Sequence, residues 1–376
     1  MYLNNLQGGY SMERKFDRKL VLEDGSEYYG YGFGGNSERV CEIVFNTSMA
    51  GYQEIVSDPS YTYQMVVLTY PLIGNYGIAD EDFESKSVTV GGVIVRDYND
   101  MPSNFRYTKT LGEILSENNV PGICGIDTRK LTRNLRDTGI KKALITNADT
   151  SIDDAMEVLK EREIPSDAVS RVSCKKRWYS RTSNHKFNVA ILDCGVKSSI
   201  IKGLNQRGCN ITVLPYNTTA EEIEFLRPDG VLISNGPGNP EDLPEVVETV
   251  KAIRGRFPIF GIGLGHQLIA LSYGAKVYKM TFGHHGGNQP VRNLLNGKIE
   301  ISNQNHCYAV DADSVKGTNL EITHLNVMDN TVEGTKCDSD NIYSVQYHPE
   351  SMPKQDDGCY LFDEFINRMK EGQKNA

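Results

Sequence analysis

A histidine and a glutamate two residues apart are the first candidates for chemistry in this sequence. His348 and Glu350 lie in Ser344-Val-Gln-Tyr-His-Pro-Glu350, at the end of a predicted strand. In an extended chain, residues at i and i+2 face the same side. A carboxylate beside an imidazole fixes its tautomer and raises its basicity, so the pair could act as a general base and its orienting group. Taken alone, His-Pro-Glu is a weak motif, because a surface turn has the same composition.

A turn of the kind that holds a nucleophile precedes this pair, but it carries no side chain. Phe257-Pro-Ile-Phe-Gly-Ile-Gly-Leu-Gly-His-Gln-Leu-Ile-Ala270 predicts a buried strand, a tight glycine turn and a helix, which is the shape of a nucleophile elbow. Its apex is Gly263, which cannot attack a substrate. The spacing is G-x-G-x-G, and no Asp or Glu lies between His266 and Ile299. Both features disfavour the alternative of a dinucleotide-binding loop, which needs G-x-G-x-x-G and an acidic residue for the ribose.

A third loop, Asn235-Gly-Pro-Gly-Asn-Pro240, follows another predicted strand. Gly236 and Gly238 would expose backbone N–H groups that can hold an oxyanion. Alone, this segment could equally be a plain turn. In open α/β sheets, however, ligands bind beyond the carboxyl ends of the strands. The sequence therefore predicts that the three loops share one crevice.

The elements that would position these loops alternate regularly in the C-terminal half, 187–372. Strands are predicted at 188–192, 211–214, 230–234 and 258–262, and helices at 197–207, 220–226, 243–254 and 266–272. A capping box, Thr219-x-x-Glu222, begins one helix. This alternation predicts an α/β fold with a doubly wound, mostly parallel sheet.

The N-terminal half has a different pattern. Residues 15–168 predict an α+β or layered β domain, with strands at 19–22, 41–45, 65–69 and 88–95 and helices at 110–118, 128–137 and 152–161. Residues 1–14 lack the features of a secretory signal. They are interpreted as a disordered leader, since Met12 precedes the first strong strand pattern. Residues 169–186 are basic and non-periodic, which predicts a linker that is either a solvated tether or a basic docking strip.

Composition excludes several classes of function. The net charge of −9 over 376 residues argues against nucleic-acid binding, and no apolar run is long enough to span a membrane. Eight cysteines are scattered without a Cys-x-x-Cys pair, which fits a reducing cytoplasm better than a disulfide framework. Adjacent side chains diverge, so His284 and His285 are a poor start to a metal site. We therefore expect no metal.

The three loops, in this order, resemble those of the triad-type (class I) glutamine amidotransferases. The elbow of that family reads Gly-Ile-Cys-x-Gly-His-Gln, where this chain has Gly261-Ile-Gly-Leu-Gly-His-Gln267. The N-terminal half narrows the resemblance to the small subunit of carbamoyl-phosphate synthase, from about Arg18 to Arg368. It does so through Phe45-Asn-Thr-Ser-Met-Ala-Gly-Tyr-Gln-Glu54, Ser57-Asp-Pro-Ser-Tyr61, Thr69-Tyr-Pro-Leu-Ile-Gly-Asn-Tyr-Gly77 and the segment 122–133, which contains Gly-Ile-Asp-Thr-Arg.

The resemblance implies a division of labour between two chains. The small subunit hydrolyses L-glutamine, and ammonia passes through a tunnel to a large subunit. The large subunit makes carbamoyl phosphate from bicarbonate and ATP for pyrimidine and arginine synthesis. The expected partners are therefore the large subunit and L-glutamine. No cofactor is expected on this chain, because ATP and Mg belong to the large subunit.

The resemblance also implies residue roles. His348 would be the general base and Glu350 its orienting group, and the Gly238 and Leu264 N–H groups would hold the oxyanion. The glutamine site would consist of Ser48, Gly236, Gly238, Leu264, Gln267, Asn305, Cys307 and Tyr308. Cys307 is a second departure, because the family has a glycine before the position of Tyr308.

Gly263 stands at the position of the nucleophilic cysteine, so we expect glutamine to bind but to be hydrolysed poorly. The sequence leaves three explanations open. The chain is a natural subunit that supports ammonia-dependent synthesis, or a variant made to trap substrate, or an enzyme in which Cys307 has become the nucleophile. The alternative function is a non-hydrolysing scaffold or regulatory partner of the large subunit.

Overall fold

The computed structural model describes residues 15–351 and 359–375. It contains a β-rich N-terminal domain followed by an α/β domain, so the predicted fold class is confirmed, although the sheet of the second domain is mixed and only its central strands are parallel. The predicted leader 1–14 lies outside the described residues. None of the helices in the described segments is both long and apolar enough to cross a membrane.

Nine strands belong to the N-terminal domain: β1 (Arg18–Leu22), β2 (Glu27–Gly34), β3 (Val40–Asn46), β4 (Gln64–Leu68), β5 (Leu72–Ile73), β6 (Gly92–Ile94), β7 (Asp97–Tyr98), β8 (Pro121–Cys124) and β9 (Lys141–Asn147). Seven of them close into a barrel in the order β1-β2-β8-β6-β4-β3-β9, and an antiparallel pairing of β1 with β9 completes the ring. Closure removes exposed sheet edges. The sequence predicted layers and did not predict this closure.

Five helices accompany the barrel: α1 (Tyr52–Ser57), α2 (Leu111–Glu117), α3 (Thr128–Thr138), α4 (Ile152–Glu161) and α5 (Ala168–Val172). The predicted helices at 110–118, 128–137 and 152–161 are confirmed within one residue at each end. The predicted strand at 88–95 is wrong at both ends, because only β6 enters the barrel and Val90 makes an isolated bridge with Thr62.

Ten strands form the sheet of the second domain: β10 (Trp178–Ser180), β11 (Phe187–Asp193), β12 (Cys209–Pro215), β13 (Gly230–Ile233), β14 (Ile259–Ile262), β15 (Val277–Asn293), β16 (Ile299–Val310), β17 (Glu321–Asn326), β18 (Val332–Cys337) and β19 (Ile342–Val345). Their order is β10-β12-β11-β13-β14-β19-β18-β16-β15-β17. Within this order, β12, β11, β13, β14 and β19 are parallel to one another and almost wholly buried. Their continuous apolar sequences are typical of a sheet covered on both faces.

The helices of this domain are α6 (Ser198–Gln206), α7 (Ala220–Leu226), α8 (Pro244–Ile253), α9 (Leu264–Ser272), α10 (Ala312–Val315) and α11 (Cys359–Asn375). The Thr219–Glu222 capping box is confirmed, because Glu222 N–H donates to Thr219 Oγ1 and Thr219 N–H donates to Glu222 Oε2. Helix α9 begins at Leu264, two residues earlier than predicted. The turn at the elbow therefore consists of Gly263 alone.

The predicted linker 169–186 is not a structureless tether. It contains most of α5 and all of β10, which pairs antiparallel with β12 at the edge of the sheet. A strand of three residues is too short to show alternation in the sequence, so its hydrogen-bonding partner decides its conformation. The limits of the two domains stay a prediction.

Candidate functional site

The predicted elbow has the backbone geometry that a nucleophile would need. Gly263 lies between β14 and α9 with φ 59° and ψ −114°. An L-residue with a side chain rarely adopts such a φ and would be strained there. The chain also passes so close to β13 that a Cβ on Gly265 would lie 2.1 Å from the Ile233 carbonyl oxygen. Glycine at 263 and at 265 therefore permits the sharp turn.

The apex has room for a small side chain. A Cβ built on Gly263 would lie 3.3 Å from Asn235 Cβ and 3.8 Å from the Gln346 carbonyl oxygen. The first contact is tight, and Asn235 would have to move by a few tenths of an ångström. A cysteine could thus occupy the apex at a modest cost in strain.

His348 reaches this region from a neighbouring strand. Strands β14 and β19 are parallel, Ile262 pairs with Val345, and the Gly263 N–H donates to the Val345 carbonyl at 2.9 Å. The elbow and the segment that carries His348 consequently leave the sheet at the same edge. The His348 N–H donates to the Asn303 carbonyl at 2.9 Å, which anchors that segment to β16.

A buried array of charged groups orients His348. Its Nδ1 lies 2.9 Å from Glu350 Oε1, and both side chains are 2% exposed. When Nδ1–H donates to Glu350, the neutral ring keeps its lone pair on Nε2, as a general base requires. Lys197 Nζ lies 3.1 Å from Glu350 Oε1 and 3.3 Å from Glu84 Oε1, and it donates to Ser351 Oγ at 2.9 Å.

Opposite charges keep Glu350 and Lys197 ionised in spite of their burial. Burial by itself raises the pKa of Glu350, but the Lys197 ammonium and then His348 outweigh it and lower that pKa to about 2. Burial opposes the charge of Lys197, while Glu350, Glu84 and Asp58 raise its pKa. Glu350 is therefore a carboxylate at neutral pH and can hold the His348 ring in one orientation.

Replacing Lys197 by methionine should lower the free energy of unfolding by about 3–5 kcal/mol, the usual cost of removing one partner of a buried ion pair. Glu350 and Glu84 would stay buried without their shared cation. The loss is measured by denaturant unfolding at neutral pH, from the midpoint of the transition and its slope.

The matched control is Lys202→Met, in helix α6, whose N-cap residue is Lys197. Lys202 is exposed, so its replacement should change stability by less than about 0.5 kcal/mol. If the two variants were equally stable, the buried array would not hold the site together as described.

The predicted site residues line two adjacent cavities. The first, of about 220 Å³, is bordered by Gly236, Gly238, Leu264, Gln267, Asn305, Cys307 and Tyr308. The second, of about 330 Å³, is bordered by Ser48, Asn305, His348 and Glu350. Asn305 borders both cavities. Its Oδ1 contacts His285 Nδ1 at 2.8 Å, and its Nδ2 donates to Asp58 Oδ2 at 3.3 Å. The single crevice expected from the sequence is thus divided at Asn305, and Gly263 borders neither part.

The expected oxyanion donors lie at the first cavity. Gly238 has φ 87°, a left-handed conformation that suits glycine. Within the described segments, neither the Gly238 N–H nor the Leu264 N–H donates to another backbone group. Leu264 is also the first residue of α9, where N–H groups lack helical partners and attract negative charge. These two groups can therefore bind an oxygen that develops charge.

Cys307 is a poor nucleophile in this environment. It packs in the apolar core of the N-terminal domain, and burial raises the pKa of its thiol to about 12. Gln64 Nε2 donates to its sulfur at 3.2 Å, and His285 Nε2 lies 3.6 Å away. A thiol that stays protonated at neutral pH is the behaviour of a structural cysteine. The relocated-nucleophile explanation is thereby disfavoured.

The N-terminal domain contributes more to the site than Ser48. Ser48 Oγ accepts from the Gly287 N–H at 3.1 Å, Ser60 Oγ accepts from Asn235 Nδ2 at 3.0 Å, and Glu84 accepts from Ser199 Oγ. The sequence analysis missed Lys197, Asp58, Ser60 and Glu84. Asp58 and Ser60 lie in the Ser57–Tyr61 motif, which was the only sequence signal for them. Nothing in the sequence indicated the pairing of Glu84 with Lys197.

Comparison with known proteins agrees with this architecture. Residues 190–368 match the family model for glutamine amidotransferase class-I, which is the class that the sheet, the elbow and the His–Glu pair define. Residues 20–145 match the model for the carbamoyl-phosphate synthase small chain, CPSase domain. The two matches correspond to the two domains of the chain.

Similar proteins cover almost the whole chain. Carbamoyl phosphate synthase small chains from Staphylococcus haemolyticus and Fusobacterium nucleatum are 51% and 48% identical to it, each over 96% of this chain and over 97% and 100% of their own lengths. That from Listeria innocua is 47% identical over 96% of this chain. The chain belongs to the carbamoyl-phosphate synthase small-chain family.

Proposed function

We propose that this chain binds L-glutamine at the elbow, hydrolyses it only very slowly, and acts as the small subunit of a two-chain carbamoyl-phosphate synthase. The observation that carries the proposal is the glycine at the apex of an otherwise complete elbow. The turn is present, His348 leaves the sheet at the same edge, and the Gly238 and Leu264 N–H groups lie at the first cavity, whereas Gly263 has no atom that can attack.

The normal reaction would use each of these groups in turn. A cysteine at 263 would transfer its proton to His348 Nε2 and attack the glutamine carboxamide, giving a tetrahedral intermediate. The Gly238 and Leu264 N–H groups would stabilise its oxyanion. His348 would return its proton to the leaving nitrogen as the intermediate collapses and releases ammonia, and water would then hydrolyse the thioester. With Gly263 the first bond cannot form, so the remaining groups can bind the substrate without splitting it.

Family membership supports the rest of the proposal. The partner is a large synthetase subunit that uses ATP and Mg, and the product supplies pyrimidine and arginine synthesis. The seven cysteines whose side chains are described form no disulfide, which supports our placement of the chain in a reducing cytoplasm. The scaffold function is favoured by the same Gly263, since a subunit without a nucleophile could still stabilise the large one.

Reconstitution with a family large subunit tests this function. We expect carbamoyl phosphate to form from ammonium chloride and hardly at all from glutamine, while equilibrium dialysis shows that labelled glutamine binds. Rapid glutamine-dependent synthesis would refute the proposal. Ammonia-dependent synthesis without glutamine binding would leave the scaffold as the function.

A further inference from the structure

A second cluster of chemically active side chains lies beneath the glutamine site. His284, His306 and Glu333 are buried on three strands, β15, β16 and β18, and their potential ligand atoms lie within 4.8 Å of one another. His284 and His306 face each other as a cross-strand pair. The glutamine reaction does not use this cluster.

The spacing of the ligand atoms is close to that around a tetrahedral metal ion. His284 Nδ1 lies 3.4 Å and His306 Nε2 lies 3.9 Å from Glu333 Oε1. Nitrogen and oxygen ligands bound to zinc at the usual lengths are separated by about 3.4 Å. The first distance already has this length, and the second exceeds it by about half an ångström.

The other nitrogen of each histidine already has the partner that a metal ligand needs. His284 Nε2 contacts Asp329 Oδ2 at 3.0 Å, and His306 Nδ1 contacts the Tyr308 carbonyl at 2.8 Å. Metal-binding histidines usually donate their second N–H to a carboxylate or a backbone carbonyl, which fixes the tautomer. This arrangement turns His284 Nδ1 and His306 Nε2 towards Glu333.

The hydrogen bonds around Gln304 also leave two acceptor atoms facing each other. A carbonyl can only accept, so His306 Nδ1 donates to Tyr308 and a neutral His306 keeps a lone pair on Nε2. That atom faces Gln304 Oε1 at 3.0 Å, while Gln304 Nε2 donates to Ser302 Oγ and to Glu333 Oε2, each at 3.0 Å. Turning the amide over would instead put Gln304 Oε1 against Glu333 Oε2. Two acceptors meet in either orientation, and a cation between them would resolve the conflict.

We propose that His284, His306 and Glu333 bind a divalent transition-metal ion of the zinc class, with Gln304 Oε1 as the fourth ligand. Because the cluster is buried and offers no open position, the ion has a structural role. It joins three strands under Tyr308, whose carbonyl also accepts from Gln267 Nε2 at 2.7 Å.

This inference departs from the expectation of no metal. That expectation concerned only the adjacent pair His284 and His285, whose side chains do diverge, since His285 contacts Asn305 instead. The proposed site combines His284 with residues from other strands, a grouping that sequence spacing could not indicate.

Metal content after refolding tests the site. The full chain is unfolded with a chelator, refolded with Zn²⁺ or Co²⁺, dialysed and analysed for metal. We expect about one ion per chain and, with Co²⁺, the visible absorption of a tetrahedral complex. Glu333→Gln, which preserves the shape of the side chain, should remove most of the bound metal. Asp329→Asn should weaken zinc affinity roughly 10–100-fold.

The matched control is His324→Gln, which alters a buried histidine outside the cluster and should leave about one ion per chain. Folding of each variant is checked by circular dichroism. If the folded wild type binds no zinc, or if Glu333→Gln binds as much as the wild type, the proposal is overturned. A proton on Glu333 or His306 would then be the centre that satisfies the acceptors.

Discussion

Replacing Gly263 by cysteine should increase the rate of ammonia release from glutamine by up to roughly 10⁶-fold, the factor lost when a comparable hydrolase loses its nucleophile. The general base His348 is oriented, and the Gly238 and Leu264 N–H groups have no backbone acceptor in the described residues. The substitution therefore adds the one group that the reaction needs. Steady-state ammonia release, with and without the large subunit, measures the gain.

The same substitution should lower the stability of the chain. A side chain at 263 must accept φ 59° and a Cβ contact of 3.3 Å with Asn235. Strain of this kind costs about 1–3 kcal/mol, so Gly263→Cys should unfold at a lower denaturant concentration than the wild type. A gain in activity accompanied by a loss in stability is the expected signature of a restored elbow.

Gly263→Ala is the matched control for both effects. Alanine has the same Cβ and the same strain but no thiol, so it should show the loss in stability without any gain in ammonia release. Rapid ammonia release from glutamine by the wild type would show that another group attacks the amide. A folded Gly263→Cys variant that binds glutamine but stays inactive would place the defect elsewhere in the site.

In the Gly263→Cys background, replacing Glu350 by glutamine should lower kcat by roughly 10⁴-fold, as loss of the orienting carboxylate does in serine proteases. Glu350 Oε1 contacts both His348 Nδ1 and Lys197 Nζ. A glutamine that directs its NH₂ group at His348 Nδ1 would move the ring proton to Nε2 and remove the general base. Ammonia release at saturating glutamine measures the loss in kcat.

Glu84→Gln in the same background is the control for the ion-pair network. It also removes a partner of Lys197, but Glu84 makes no contact with His348 in the described residues. Its effect on kcat should therefore be far smaller than that of Glu350→Gln. Equal losses would mean that the charge of the network, rather than the orientation of His348, limits the reaction.

The elements set by neighbouring residues were predictable from the sequence. Helices α4 and α7 have the predicted bounds, because apolar periodicity and capping side chains act within one or two turns. The elbow was also predicted from the sequence, since the glycines at 261, 263 and 265 permit a tight turn between a strand and a helix. The replacement of the nucleophile by glycine is likewise a property of the sequence alone.

The surroundings of the elbow depend on residues far apart in the chain. The long hairpin of β15 and β16, which carries Asn305 and Tyr308, was not predicted, because much of its buried face is polar and gives no apolar alternation in the sequence. The pairing of Lys197 with Glu84 joins the two domains, and the proposed metal ligands come from three strands. Local sequence determines where a strand or helix forms, whereas burial and pairing between distant segments determine which side chains meet. For this reason the sequence identified the position of the missing nucleophile, and only the tertiary structure decided which charges surround it.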